Sequence, residues 1–256
     1  MFVLCGLIGP IVGLLMLTVR EPARRGVPVA RHAHPPLSET FAYLRAQRRV
    51  IVPLYTGFCL HYVAFVGIIA WTAAFLTRAY HATLVDFAGR LGIMLLIAGG
   101  AGYLAGGALT DSGPFRRPGG KLLLLAILPL IALPSALAGA ASSLTLALVM
   151  LTGLSFATPI MNVATNASVQ ELVPNRMRGF SYALLAVVGA LPAGAGGPYA
   201  VAWVTEHVVG DPALIGRSFA IVGVPMLLAA SACFLLAWRG FHHPASAPAA
   251  APRPQN

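Results

Sequence analysis

Seven long apolar stretches recur along the chain, separated by short polar connectors. They lie at residues 1–18, 50–77, 88–110, 121–140, 143–168, 179–205 and 216–239. An α-helix of about 20 residues crosses the ~30 Å hydrocarbon layer of a bilayer, and most of these stretches are that long. Because 58% of the residues are apolar and only 9% are charged, the chain has too little polar surface for a globular domain in water. The pattern predicts an all-α membrane protein with seven transmembrane helices in a lipid bilayer.

The basic residues are distributed unevenly between the two sides of these stretches. One side holds Arg20, Arg24, Arg25, Arg31, Arg45, Arg48, Arg49, Arg116, Arg117, Lys121, Arg176, Arg178, Arg239 and Arg253. The other side holds only Arg78, Arg90 and Arg217. Since basic connectors remain in the cytoplasm, we predict a cytoplasmic C-terminus in the plasma membrane (the cell inner membrane). The net charge of +10 then reflects topology and anionic lipid, and predicts no nucleic-acid partner.

The connector at 19–49 divides into two parts. Its first part is rich in Pro and Arg and is expected to be irregular. In its second part Ser38 can cap a helix, Glu39 complements the helix dipole, and Phe41 and Leu44 share one face. We expect an amphipathic helix on the inner membrane surface there. The Pro/Ala-rich tail at 240–256 is expected to be disordered.

Cysteine and histidine residues give no pattern of a metal site. Cys5, Cys59 and Cys233 lie far apart inside apolar stretches, and the seven His residues are scattered. We therefore expect no metal and no cofactor.

Three short stretches together resemble a known family. They are Val19–Arg24, Gly106–Asp111 followed by Arg116-Arg117, and Glu171–Gly179. In this order and sidedness they resemble the C-terminal half of a major facilitator superfamily transporter, and they favour its organic-anion, sugar-acid and spinster-like branches. The resemblance implies that residues 50–239 form one six-helix bundle of two inverted three-helix repeats. It also implies that 1–18 is the last helix of an N-terminal bundle, that 19–49 is the central loop, and that a six-helix N-terminal half is missing.

The start of the chain bears on this expectation. Met1 opens directly into Phe2-Val3-Leu4, without a basic lead or a small-residue cleavage pattern. We expect a part of a longer transporter. A signal peptide is the alternative, although Gly9-Pro10 interrupts the stretch.

The resemblance also implies a cytoplasmic gate. Its candidate residues are Gly107, Asp111, Arg116, Arg117 and Arg178. The loop departs from the family pattern because Ser112 replaces the basic residue after Asp111 and Pro114 interrupts the run. Asp111 either pairs with one of these arginines and holds the inward face shut, or only ends a helix while the arginines bind lipid phosphates.

Polar residues inside the stretches are the candidate substrate-binding residues, because polar groups at membrane depth are costly unless they face a cavity or a partner. Those chosen are Tyr55, His61, Tyr62, Asn162 and Asn166. Asn162 and Asn166 belong to a stripe with Thr158 and Gln170 at steps of four residues. The resemblance places them on the seventh and tenth helices, which help to line the central cavity. Two interpretations stay open for the asparagines, solute contact and interhelical hydrogen bonding, and for His61, a buried structural histidine and a proton carrier.

Glycines predict two features of packing. Gly102 and Gly106 form a small-xxx-small pair that allows close contact with another helix. The segment 189–198, with four Gly and two Pro residues, predicts a kink or simply dense packing.

The function predicted is secondary transport of a small organic solute by alternating access, with an organic anion or a sugar acid as the favoured class. A seven-helix receptor, a membrane-embedded enzyme and an inactive truncated transporter are the alternatives. The receptor hypothesis predicts external cysteines, and the enzyme hypothesis predicts paired carboxylates or a Ser/His/Asp set; the sequence offers neither pattern.

The charge asymmetry makes a prediction about sidedness. A membrane-impermeant thiol reagent added outside should modify a Cys placed at Asp211 and spare a Cys placed at Ser246, because the 206–216 connector is external and the tail cytoplasmic. The reverse labelling pattern would contradict this topology.

Overall fold

The computed structural model describes residues 36–242 and, before them, Pro10, residues 13–15 and Thr18. Residues 1–34 and 35–256 form two compact units. In the first unit Pro10 and residues 13–15 are helical. Most of the expected span at 1–18, the first part of the central connector and the tail after residue 242 lie outside the described residues.

The second unit is built from helices that follow the expected apolar stretches. Their bounds are α1 Leu37–Ala46, α2 Arg48–Tyr80, α3 Leu84–Thr110, α4 Gly120–Ala136, α5 Leu144–Leu172, α6 Arg178–Leu191, α7 Gly197–Val204 and α8 Ile215–Phe241. π-helical turns at Pro192–Gly196 and Thr205–Val209 join α6 and α7 into one span. Six of the described helical segments are long and apolar enough to cross a membrane. The all-α membrane fold is confirmed, including all six spans expected after residue 49.

The bundle is organised around α2. This helix packs along α8 and also contacts α5, α6 and α7, while α4 packs between α5 and α8. Phe75 of α2 and Phe219 of α8 are almost fully buried, with ring centroids 5.3 Å apart. The third helix, α3, packs mainly against α5. One side of α2 and α5 therefore stays open toward α6, and the candidate site lies there.

The close helix contact predicted for the third span is confirmed. A Cβ atom at Gly102 would stand 2.5 Å from the Phe156 carbonyl oxygen of α5, and one at Gly106 would stand 3.1 Å from the Ile160 Cα atom. Gly99, one turn earlier on α3, has open space in the same position. Of these three glycines, only Gly102 and Gly106 are therefore needed for the α3–α5 contact.

The amphipathic helix expected in the second part of the connector is present as α1, but its expected cap is wrong. The helix begins at Leu37, so that Ser38 lies in its first turn, and Pro36 occupies the cap position without a side-chain hydrogen bond. Thr40 and Leu44 are the buried residues of α1.

The break in regular helix expected near Gly189–Pro198 is also present. A π-helical turn occupies Pro192–Gly196, in a segment where Pro192 and Pro198 cannot donate a backbone hydrogen bond. Just after it, a Cβ atom at Gly197 would stand 2.6 Å from the Val63 carbonyl oxygen of α2. The glycine therefore permits α7 to approach α2 closely.

A matched pair of glycine substitutions tests the α3–α5 contact. Gly102→Ala should lower the free energy of unfolding by about 1–3 kcal/mol, because the new methyl group forces the two backbones apart. Gly99→Ala should raise it by up to about 1 kcal/mol, since Ala is the better helix former and meets nothing there. Thermal unfolding in detergent would measure both, and equal stability of the two variants would contradict this packing.

Candidate functional site

A cavity of about 520 Å³ lies between α2, α5 and α6. It is lined by Phe58, Tyr62, Asn162, Asn166, Gln170, Tyr182, Leu185, Ala186, Gly189 and Ala190. Asn162 lies near the middle of α5, whereas Gln170 lies in its last turn and Tyr182 in the second turn of α6. The cavity therefore runs from near mid-bundle to the end that carries the basic connectors.

A hydrogen bond across the cavity wall joins α2 to α5. The Tyr62 hydroxyl lies 3.0 Å from Asn162 Oδ1 and 2.8 Å from Asn162 Nδ2, so it can donate to the first or accept from the second. On the opposite wall the Tyr182 hydroxyl donates to the Asn166 carbonyl oxygen at 3.1 Å, which joins α6 to α5. Both tyrosine hydroxyls are thus used in holding helices together.

The two asparagines differ in what their side chains offer. The Asn162 side chain is engaged by Tyr62, whereas Asn166 uses only its Nδ2 group, which donates to the Asn162 carbonyl oxygen at 2.8 Å. Within residues 36–242, Asn166 Oδ1 and the whole Gln170 side-chain amide form no hydrogen bond. These are the open polar groups of the cavity.

Tyr55 and His61 lie behind the cavity and do not line it. The buried Tyr55 hydroxyl donates to the Ser181 carbonyl oxygen at 2.9 Å and so ties α2 to the start of α6. His61 is fully buried, and its Nε2 atom lies 3.0 Å from Thr158 Oγ1. Because the Thr158 hydroxyl donates its hydrogen to the Leu154 carbonyl oxygen, His61 Nε2 is the donor of this pair. His61 Nδ1 is then an acceptor without a partner in the described part of the chain.

The gate candidates lie at the basic end of the bundle and form no ion pair with a residue that the structure describes. Asp111 caps the C-terminus of α3, is exposed, and forms no ion pair with another described residue. Arg178 instead caps α5, because its guanidinium donates to the Gln170 and Val173 carbonyl oxygens. A Cβ atom at Gly107 would meet nothing within 4 Å. Arg116 ends a short 3₁₀ turn, and Arg117 follows it.

Among the described residues, two ion pairs occupy this end, and neither involves a gate candidate. Lys121 at the start of α4 pairs with Glu171 at the end of α5, and Arg176 pairs with Glu39 of α1. The Tyr43 hydroxyl of α1 donates to the Leu172 carbonyl oxygen at 2.6 Å, and burial raises the pKa of Tyr43, so this hydroxyl remains a donor at neutral pH. The amphipathic helix is therefore attached to the α5–α6 turn.

Comparison with known proteins places the chain in a family. The model of the Major Facilitator Superfamily matches residues 1–198. The chain belongs to the major facilitator superfamily. The resemblance drawn from the three sequence stretches is thereby confirmed. No curated protein sequence matches the chain.

The solved structure of one transporter has a similar fold. The crystal structure of a bacterial homolog to the human lysosomal transporter Spinster, in an inward-facing and unoccupied conformation, is similar with a TM-score of 0.62 at 22% identity. The match covers 89% of this chain and 56% of that one, so the chain spans just over half the length of that transporter.

Sequence reasoning chose Tyr62, Asn162 and Asn166, which line the cavity of this superfamily member, and missed several neighbours. Gln170 belonged to the predicted stripe but was left out of the site. Phe58 and Tyr182 gave no signal, because an aromatic residue in an apolar span is ordinarily packing. Phe58 and Tyr182 line the cavity only because α2 and α6 both pack beside α5 in the folded bundle.

A double-mutant cycle tests whether Tyr62 and Asn162 act as one interhelical contact. Tyr62→Phe and Asn162→Ala should show a coupling free energy of about 0.6 kcal/mol in thermal unfolding, the average for hydrogen bonds between membrane helices. Tyr62→Phe with Asn166→Ala is the matched control and should show none, because the Asn166 side chain bonds only within α5. Equal coupling in both cycles would contradict the assignment.

Proposed function

We propose that the chain is one bundle of a secondary transporter that moves a small organic solute by alternating access. The observation that carries this proposal is the cavity inside the bundle, where amide and tyrosine side chains lie within helices long and apolar enough to cross a membrane. Polar side chains at such depth are costly unless they pair or face a solute path. Membership of the major facilitator superfamily supports the same function.

A second half is part of this proposal. The chain spans 56% of the transporter it resembles, which supports an N-terminal half that is completed by helices outside this chain. The span Leu84–Thr110 is the least buried of the six, with Val85, Leu96 and Leu104 at least 75% exposed. We propose that the N-terminal half covers the open side of the cavity beside α3 and α6, and that lipid covers the remaining apolar surface. Residues 50–239 are then the C-terminal bundle and 19–49 the central loop.

The orientation and the gate follow from the charge pattern. The excess of basic residues on one side supports a cytoplasmic C-terminus, with the plasma membrane as the proposed location. Gly107, Asp111, Arg116, Arg117 and Arg178 all lie at that basic end. We propose that they form the cytoplasmic gate when the second half is present, with Asp111 free to take a partner there.

The candidate site residues take two roles in this proposal. Tyr62, Asn162 and Asn166 line the solute path, whereas Tyr55 and His61 support its wall from behind. If transport is coupled to protons, His61 Nδ1 is the acceptor available on this bundle, and His61→Gln should abolish accumulation against a gradient while solute exchange persists.

The need for two halves can be tested by reconstitution. Proteoliposomes that contain only this chain should take up labelled sugars, sugar acids and organic anions no faster than protein-free liposomes, because one wall of the path is missing. The same chain preceded by the helices that complete the N-terminal half is the positive comparison and should give uptake of at least one solute. Robust uptake by the chain alone would show a complete transporter, and no uptake by the joined protein would contradict the proposed function.

A further inference from the structure

We infer that the cavity of this chain binds an uncharged solute with hydroxyl groups on one side and C–H groups on the other, as in a neutral sugar ring. The inference rests on the proposed function and narrows its solute class. It replaces the organic anion or sugar acid that the family resemblance favours with a neutral polyhydroxylated solute, at least for the part of the solute that this bundle contacts.

The cavity wall carries no charged side chain. All ten residues that line the cavity are neutral. The nearest charged residues are already paired and do not line the cavity. Glu171, next to Gln170 in the chain, pairs with Lys121, and the Arg178 guanidinium donates to the backbone carbonyl oxygens of Gln170 and Val173. A charged solute entering this part of the membrane would lose its hydration without gaining a counter-charge on this wall, which is strongly unfavourable.

The cavity wall offers hydrogen-bonding groups that suit hydroxyl groups of a solute. The Tyr62 and Tyr182 hydroxyls and the Asn162 amide are already used between helices, which leaves Asn166 Oδ1 and the Gln170 amide open. An amide offers both an acceptor and donors, and a solute hydroxyl needs one of each. Asn166 and Gln170 are four residues apart on α5 and therefore form a row about 6 Å long. Such a row suits neighbouring hydroxyl groups of one small solute.

The remainder of the wall is largely aromatic. Phe58 and Tyr62 both line the cavity, with their ring centroids 4.6 Å apart and their planes tilted by 33°, and Tyr182 lies on the opposite helix. The faces of aromatic rings carry partial negative charge and pack well against polarised C–H groups, such as those on the face of a sugar ring. A cavity of about 520 Å³ has the size usual for small-molecule sites.

Two sets of matched ligands test this inference. Each set has a neutral hexose, the corresponding acid and the corresponding amine. The full chain in lipid nanodiscs is dialysed against radiolabelled glucose, glucuronate and glucosamine, and against galactose, galacturonate and galactosamine. At least one neutral hexose should bind at least tenfold more tightly than its acid and its amine. Asn166→Ala and Gln170→Ala should each weaken that binding about tenfold, because each removes an open polar group.

Controls separate the possible outcomes. Gln47→Ala makes the same chemical change outside the cavity lining and should leave binding unchanged, and circular dichroism verifies that each variant is folded. Tighter binding of an acid than of its neutral hexose would overturn the inference. If Arg178→Gln abolished that binding, recognition would be assigned to the Arg178 guanidinium at the basic end. Equal binding of all ligands, or binding of none, would also overturn it. The transporter proposal would survive each of these results, because it fails only if the protein completed with a second half moves no solute.

Discussion

A polar group within a bilayer is costly unless it forms a hydrogen bond inside the protein or faces a water-filled path, and the rest of this structure depends on that constraint. It makes the spans helical, because a helix satisfies its own backbone. It also pairs side chains across helices: Tyr62 with Asn162, and His61 with Thr158. Two polar groups in the cavity have no partner among the described residues: Asn166 Oδ1 and the Gln170 side-chain amide. Their position therefore indicates a solute path.

The helices and much of one cavity wall could be predicted from the sequence. Apolar length located the spans, and charge asymmetry gave their expected orientation. The stripe on α5 was visible at every fourth residue, but its members have different surroundings in the bundle. Four residues rotate a helix by about 400°, so that successive members turn by about 40°. Thr158 consequently faces His61 in the core, whereas Asn166 and Gln170 face the cavity. A spacing of four residues thus predicted the cavity face of α5 correctly for Asn162, Asn166 and Gln170, but not for Thr158.

Contacts between distant segments were beyond sequence reasoning. Glu39 and Arg176 are 137 residues apart, and Lys121 and Glu171 are 50 apart, so only the folded bundle shows that they pair. Both pairs hold the basic end of the bundle, where α1 is attached to the turn before α6. Because α6 forms one wall of the cavity, the central connector is mechanically linked to that wall. The Ser38 cap failed for a local reason, since the helix starts two residues earlier than a cap at Ser38 would place it.

The central claim is that the stripe on α5 borders a water-accessible path inside the membrane span. Accessibility of a single Cys at Gln170, in a background without the native cysteines, tests this most directly. With an impermeant thiol reagent on inside-out membranes, Gln170→Cys should react, because Gln170 lines the cavity at its basic end. Leu130→Cys should not react, since Leu130 lies on the exposed apolar surface of α4, away from the cavity lining. Failure of the Gln170→Cys variant to react, or equal reaction of both variants, would contradict the account.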